Sequence, residues 1–559
     1  MSRNQWWLLL VVVLVGAFFR FYRLGTIPEG FFSDEAAVGY NAYSLVETGK
    51  DEFGKPWPLF FTSFGEGKLP LYVYQAVPTV WLLGPTELAV RLPGAFFGTL
   101  TILAWFFLVQ ELLRLSLVGK KWLVPIALTS ALVLAVMPWH IHFSRGVFGQ
   151  ESVFWIVLGS WLLLKGLRIN KQRWVYLGFL GLIASLLIYH APKVVLPLWV
   201  SALLGLSFVK GKYSLKELAQ KIILGVLGLI FVWGVMSFSG TGIQRSKGIS
   251  VFSIHSGVFS ILHETIEEEA HFNRPTWYTR LLHNKLESYG REIVGRYLSH
   301  FDPDFLFVSG DRLRPRYRVP GVSQIYLILL PFALIGGYIL IQKRAWLVLI
   351  LLALAPLPAA FTFETPSTVR ALLMAVPLSG IIGCGIVVSF TFLKKKPWLW
   401  WGTMAVLILG WLYQVWYFYN AYFYLAQIHK PYAWQGAYER LVKRVADLED
   451  NYQQVVSGAT GGPPYIFFLF YNRYDPAKFQ AEVDQHIGET DPFGFIHITG
   501  FDKYNFIKVA CPFDPNIEET LFICEGEPED ETFRPFVFET VYHADGTPAF
   551  TLLDTKHEE

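Results

Sequence analysis

The chain has 559 residues, of which 53% are hydrophobic, 17% aromatic and 16% charged. Soluble domains carry about 25% charged residues, so this composition excludes an ordinary soluble enzyme and puts most of the chain in lipid. The net charge of +3 is too small to suggest a nucleic-acid partner, and 3 cysteines cannot build a disulfide framework.

The first apolar run, Gln5–Phe19, continues into aromatic and charged residues without a small-residue cleavage site. It reads as a retained anchor rather than a removed leader. A spanning helix needs about 20 apolar residues. The segments 5–21, 88–113, 122–140, 152–168, 174–190, 192–209, 220–238, 322–341, 345–361, 369–392 and 398–420 qualify, about eleven spans. The stretch 69–84, LPLYVYQAVPTVWLLG, is short and holds Pro70 and Pro78, so its length alone does not decide whether it crosses.

Charge decides it. Cytoplasmic loops are enriched in Lys and Arg. With the N-terminus inside and 69–84 lying along the outer face, the basic clusters Arg114/Lys120/Lys121, Lys165–Arg173, Lys210–Lys221, Lys343/Arg344 and Lys394–Lys396 all fall in the cytosol. If 69–84 crossed, all would fall outside. The segment is therefore expected to be interfacial or re-entrant. The expected fold is an all-α polytopic membrane protein over residues 1–420, with an outer first loop at 21–88 and a long outer loop at 239–321. A mixed α/β extracytoplasmic domain of about 130 residues follows at 421–559. In that tail Ala437–Leu448 has helical period, YQQVVSGA and FGFIHITG read as strands, and Cys511 and Cys524 could pair in an oxidising compartment.

The polar residues that packing does not call for gather at the outer face. FFSDEAAVGY places Asp34 and Glu35 after Ser33, a fair N-cap, at a helix start where the positive dipole end favours carboxylates. Glu66 and Lys68 precede the interfacial segment, and Lys68 either snorkels or meets a lipid phosphate. The second outer loop, WHIHFSRGVFGQE, holds His140, His142, Arg145 and Glu151. Arg145 offers a fork for a phosphate or carboxylate. The His pair lacks a third ligand at diagnostic spacing, which leaves a divalent metal as an open alternative. Tyr189, His190 and Lys193 sit in an outward hairpin, IYHAPKVV, and Arg370 in ETPSTVRALL starts a later span beside Glu364. Cations here run against the positive-inside bias, and an anionic ligand would account for both. The run of Arg312, Arg314, Arg316 and Arg318 before a span could contact headgroups or substrate. The DPD at Asp302–Asp304 reads as an ordered turn.

In order and in membrane placement, SDE, GEGKLPLYVY, ELAVRLPGAFFGTL, PWHIHFSR, YHAPKVVLP and STVRALLMAVPL resemble the GT-C-fold glycosyltransferases that use polyprenyl-phosphate sugars, in the protein O-mannosyltransferase and aminoarabinose transferase group. The resemblance covers about residues 1–420. It implies an acidic residue in the first outer loop that acts on the acceptor, matched by Asp34. It also implies a lysine near the donor phosphate, matched by Lys68, and an outer arginine, matched by Arg370. Some members have a Glu immediately before the lysine and hold a metal there; here Gly67 separates Glu66 from Lys68.

The resulting expectation is a membrane glycosyltransferase needing no cofactor. Asp34 and Glu35 carry the chemistry, Lys68, Arg145, Lys193 and Arg370 hold the donor phosphate, and Glu66, His142, Glu151, Tyr189 and His190 contact substrate. Its partners are a polyprenyl-phosphate sugar, an acceptor protein, lipid or glycan, and the bilayer. The alternative is a polyprenyl-lipid transporter or lipid-binding protein without chemistry. Charges gathered at one face rather than within spans favour the enzyme.

Overall fold

The computed structural model describes residues 2–210, 214–238, 249–253, 257–271, 275–362, 364–458, 460, 462–490 and 496–557. The chain divides into two compact units. The first comprises Met1–Arg20, Phe96–Ser144 and Phe148–Tyr417; the second comprises Phe21–Ala95, Arg145–Val147 and Phe418–Glu559.

The first unit is helical. Its elements include α1 (Arg3–Phe21), most of α4 (Glu87–Arg114), α5 (Lys120–Ala135), α6 (Pro138–Phe143), α7 (Glu151–Ile169), α8 (Gln172–Leu186), α9 (Pro192–Val209) and α10 (Leu215–Phe238). Among the described residues seven helices are long and apolar enough to cross a membrane: α1, α4, α7, α9, α10, Leu372–Leu393 and Pro397–Ile428. Two expected spans are broken. The 122–140 segment stops at Ala135 and resumes as α6 at Pro138, and the 345–361 segment splits into Trp346–Leu354 and Leu357–Ala360 around Pro356. Proline lacks the N–H and clashes with the preceding turn, so each break falls where the sequence carries one.

Helices in lipid associate by close backbone approach rather than by hydrophobic exclusion. The helix at Leu330–Gln342 meets the one at Ala375–Leu393 through Gly336 and Gly385. A Cβ on Gly336 would lie 1.8 Å from the Ile381 carbonyl oxygen, and one on Gly385 would lie 1.9 Å from that of Phe332. Arg20, fully buried, donates to the Gly16 carbonyl at 2.8 Å, to the Ala135 carbonyl at 3.0 Å and to His140 Nδ1 at 2.8 Å. It thereby satisfies a carbonyl that the C-terminus of α5 leaves without a helical partner.

The second unit joins the first loop to the tail. From the loop come α2 (Ser33–Thr48), the hairpin β1 (Phe61–Ser63) and β2 (Glu66–Lys68), and α3 (Pro70–Leu83). At 14 residues α3 is about 21 Å long, shorter than the ~30 Å hydrocarbon core. The tail contributes the expected helix Ala437–Leu448, then β3 (Gln454–Gly458), helices Tyr465–Tyr471 and Pro476–Glu482, and strands β4 (Ile487–Thr490) and β5 (Ile496–Ile498). It closes with β6 (Gly500–Phe501), β7 (Tyr504–Ile507), β8 (Thr520–Glu525), β9 (Val537–Tyr542) and β10 (Pro548–Leu553). Six strands form one sheet in the order β6-β7-β3-β8-β10-β9, with β3 parallel to β7 and β8. Cys511 and Cys524 form a disulfide.

One aromatic core runs through loop and tail. Phe31 stacks on Phe470 at 4.7 Å and Tyr438 on Phe467 at 4.1 Å. Gly39 lets α2 approach closely, since a Cβ there would meet the Phe470 ring at 2.4 Å. The Gln480 carboxamide donates to Ser44 Oγ and the Asp51 carbonyl, both at 2.9 Å. The tail is therefore packed against α2 by both apolar and polar contacts.

Candidate active site

The second unit places Asp34 at the start of α2. Ser33 is the first helical residue rather than the cap, and its N–H donates to the Gln435 side chain at 2.9 Å. Lys68 arrives from the other side. The β1–β2 hairpin turns through Phe64 and Gly65, with φ of 55° and 80°, the pair of positive angles a tight two-residue hairpin needs. This sets Lys68 opposite Phe61 at the hairpin's open end. Lys68 Nζ reaches Asp34 Oδ1 at 2.6 Å and lies 4.6 Å from the Phe64 ring centre. The Asp34 side chain is 53% exposed and that of Lys68 17%.

Glu35, expected to share the chemistry with Asp34, is turned inward and fully buried. Arg91, also fully buried, meets it in a bidentate pair: Nε to Oε1 and Nη2 to Oε2, both 3.0 Å. Arg91 also contacts Glu87 at 3.3 Å and donates to the carbonyls of Pro28 and Gly30. Successive helix residues face about 100° apart, so adjacency in sequence separates the two carboxylates in space. Sequence reasoning gave Arg91 no role. The signal was present, because an arginine inside an apolar run must find an internal partner.

Glu52 was also missed. It is buried without exposure, and its Oε1 accepts from Ser63 Oγ at 2.6 Å and Asn41 Nδ2 at 3.2 Å. Its own N–H donates to Asn41 Oδ1 at 3.1 Å. Asn41 lies on the helix that carries Asp34, and Ser63 on the hairpin that carries Lys68, so Glu52 ties the two supports together. Burial pushes the Glu52 carboxyl up to about 7, although Ser63, Asn41 and the charge of Lys68 all pull it down.

Arg145, expected on the donor phosphate, is fully buried in the second unit. Its Nη2 donates to the carbonyls of Tyr22 and Ile27 at 2.8 Å, and its guanidinium lies over Tyr422 and Phe423 at 5.4 and 5.1 Å. These contacts hold the loop at 22–27. The side chain of Glu66 lies outside the described residues.

The first unit holds the other expected residues. Tyr189, His190, Lys193 and Arg370 line one cavity of about 350 Å³ with Trp233 and Pro358. Lys193 Nζ donates to the Met236 carbonyl, and Trp233 Nε1 donates to the Lys193 carbonyl at 2.7 Å. Both guanidinium Nη atoms of Arg370 contact Glu364 Oε2 at 3.0 Å, and Arg314 contacts the same oxygen at 3.0 Å. Two cations on one carboxylate leave net positive charge beside the cavity. Gly149, with φ of +76°, lets its loop pass the Tyr189 ring, where a Cβ would sit at 2.7 Å. His142 is buried, stacks on Phe148 and donates to the Arg316 carbonyl at 2.8 Å. Glu151 is buried and accepts from Gln150 at 2.8 Å. Neither lines the cavity. Asp302 and Asp304 form the expected turn, with Asp302 Oδ1 accepting from the Asp304 N–H at 2.9 Å. Among the described residues no three His, Cys, Asp or Glu side chains gather as a metal site.

The fold is that of the GT-C group of membrane glycosyltransferases, the group whose motifs the sequence resembles. The chain is similar to ArnT from Cupriavidus metallidurans solved with undecaprenyl phosphate bound, at TM-score 0.51 and 12% identity, covering 99% of this chain and 98% of that one. It is also similar to the oligosaccharyltransferase AglB from Archaeoglobus fulgidus, at TM-score 0.48 and 12% identity. That match covers 84% of this chain and 64% of the AglB chain. No protein family and no curated protein matches the sequence.

Proposed function

We propose that the protein transfers a sugar from a polyprenyl-phosphate donor to an acceptor hydroxyl, with Asp34 as general base. The observation that carries this reading is the contrast within one dipeptide. Glu35 is locked against Arg91 in the interior, while Asp34 stands half-exposed at a helix N-terminus with a lysine at 2.6 Å. A carboxylate with a packing role belongs inside with its partner. One left half in solvent is open to an acceptor hydroxyl, and the neighbouring lysine keeps it in the ionised form a base needs.

In the proposed step the acceptor oxygen attacks the anomeric carbon as its proton passes to the Asp34 carboxylate. The bond from that carbon to the phosphate oxygen breaks with its electron pair, releasing polyprenyl phosphate. Direct displacement inverts the anomeric centre. Lys193 and Arg370 are assigned the donor phosphate, because their cavity joins cationic and apolar walls, as a lipid phosphate requires; Lys68, expected on the same phosphate, is paired with Asp34 and does not line that cavity. Tyr189 and His190 contact the donor in the same cavity. Arg145, His142 and Glu151 are assigned to structure. The ArnT relative was solved with undecaprenyl phosphate, which supports a donor of this class. No step in this scheme needs a metal. The N-terminus is placed in the cytosol, and the tail disulfide supports an oxidising compartment for residues 421–559.

The test uses membranes containing the full chain, a radiolabelled polyprenyl-phosphate sugar and Asp34→Asn. General-base help contributes about 10²–10⁴-fold, so turnover should fall by about a hundredfold or more while donor binding persists. Near-full turnover in the variant removes Asp34 from the role. Donor binding without transfer in the wild-type chain favours the transporter reading.

A further inference from the structure

The first unit holds a second large cavity, of about 790 Å³, at its other end. It lies where α4, α7 and α9 finish, whereas Lys193 stands where α9 begins, about 27 Å away along an 18-residue helix. Arg114, Lys120, Arg168 and Lys210 line it with a single carboxylate, Glu111, an excess of three positive charges. Positive residues at helix ends are common topology signals; this cluster also has a built interior. Glu111 is largely buried and holds both arginines: Arg114 Nη1 at 2.6 Å, Arg168 Nε at 2.9 Å and Arg168 Nη2 at 3.0 Å. It fixes the two forks while their side chains stay 39% exposed. Lys120 and Lys210 are exposed and have no ion-pair partner among the described residues. Buried Leu123 and Leu164 form part of an apolar wall.

We infer that this cavity binds an anionic phospholipid, with the phosphate among the four cations and an acyl chain along the apolar wall. Charge complementarity selects an anion. Guanidinium forks held in place suit phosphate oxygens. The apolar wall in a chain of membrane-spanning helices selects a lipid over a soluble phosphate, and the volume falls in the ~300–1,000 Å³ range of small-molecule sites. Basic pockets between membrane helices take acidic headgroups on the same grounds. The inference does not depend on the transferase reading, because none of these residues is assigned to donor or acceptor.

The full chain, purified in neutral detergent, is incubated with phosphatidylglycerol or phosphatidylcholine, and the bound lipid is read by native mass spectrometry. Retention of phosphatidylglycerol should exceed that of phosphatidylcholine. Each neutralised cation near the headgroup should weaken binding by about fivefold, so Lys120→Gln with Lys210→Gln should cost about twenty-five-fold. These two lysines carry no contacts that the fold needs, so the variant should keep the wild-type melting temperature. Arg168→Gln should weaken retention further in that background. Glycerol phosphate in excess should not displace the lipid. Equal retention of the two lipids, unchanged retention in the double variant, or displacement by glycerol phosphate overturns the proposal.

Discussion

Asp34 and Glu35 are chain neighbours with opposite surroundings. One side chain is half in solvent with a lysine at its rim; the other has no exposure and is clamped by two guanidinium nitrogens. The same chemical group thus stands open to solvent or serves as a strut according to which side of one helix it occupies. A buried ion pair adds little stability over an apolar pair of the same shape, but removing one partner leaves an uncompensated charge. Asp34 can therefore be altered with little structural penalty, and Glu35 cannot.

The sharpest way to break this contrast is to unpair the strut. Arg91→Ala should destabilise the chain by about 3–5 kcal/mol, read as a large fall in melting temperature in detergent. Arg91→Met with Glu35→Leu should restore the part due to an unpaired Glu35, leaving the cost at Glu87 and at the Pro28 and Gly30 carbonyls; if the double variant is no better than the single one, the Glu35 charge is not what Arg91 compensates. Next in size is Asp34→Asn, with a loss of about a hundredfold in turnover and an unchanged melting temperature. Arg370→Ala should raise the donor concentration needed for half-maximal rate by about tenfold, the value of one charge-assisted contact, with a smaller effect on maximal turnover. Unchanged donor dependence would remove the phosphate assignment.

The smallest effect concerns Glu52. Its carboxyl is raised to about 7 from an ordinary value of 4.5, so the folded state favours the protonated form. The stability it contributes is full below about pH 4.5 and is lost as pH rises through about 7. Lys68 and Asp51 are the charged groups that act on it. Glu52→Gln keeps an oxygen for Ser63 and Asn41 and cannot ionise. The variant should lose this part of the pH dependence and melt a few degrees higher than wild type at pH 8. Parallel pH profiles would show that the wild-type carboxyl is not raised.

What the sequence revealed divides along physical lines. Local signals were legible: the start of α2 within a residue of the expected place, the helix at Ala437–Leu448, and the pairing of Arg370 with Glu364. Each depends on residues within about a turn or two of one another. Pairings across long separations were not. Arg91 is 56 residues from Glu35, and no periodicity links them. Arg145 looked like an available fork because its carbonyl partners are backbone atoms, which no side-chain pattern announces. The tail read as an accessory because its cover over α2 comes from aromatic faces that are equally consistent with a self-contained core.

That cover has a consequence for how the chain matures. Gln480 and Ser44 touch although 436 residues separate them, and Phe470 fills the notch left by Gly39. Translation delivers α2 long before the tail emerges, so the helix bearing Asp34 must wait with its aromatic flank uncovered. Fragments that stop short of residue 470 should insert, stay sensitive to protease in the first loop, and never reach a working state.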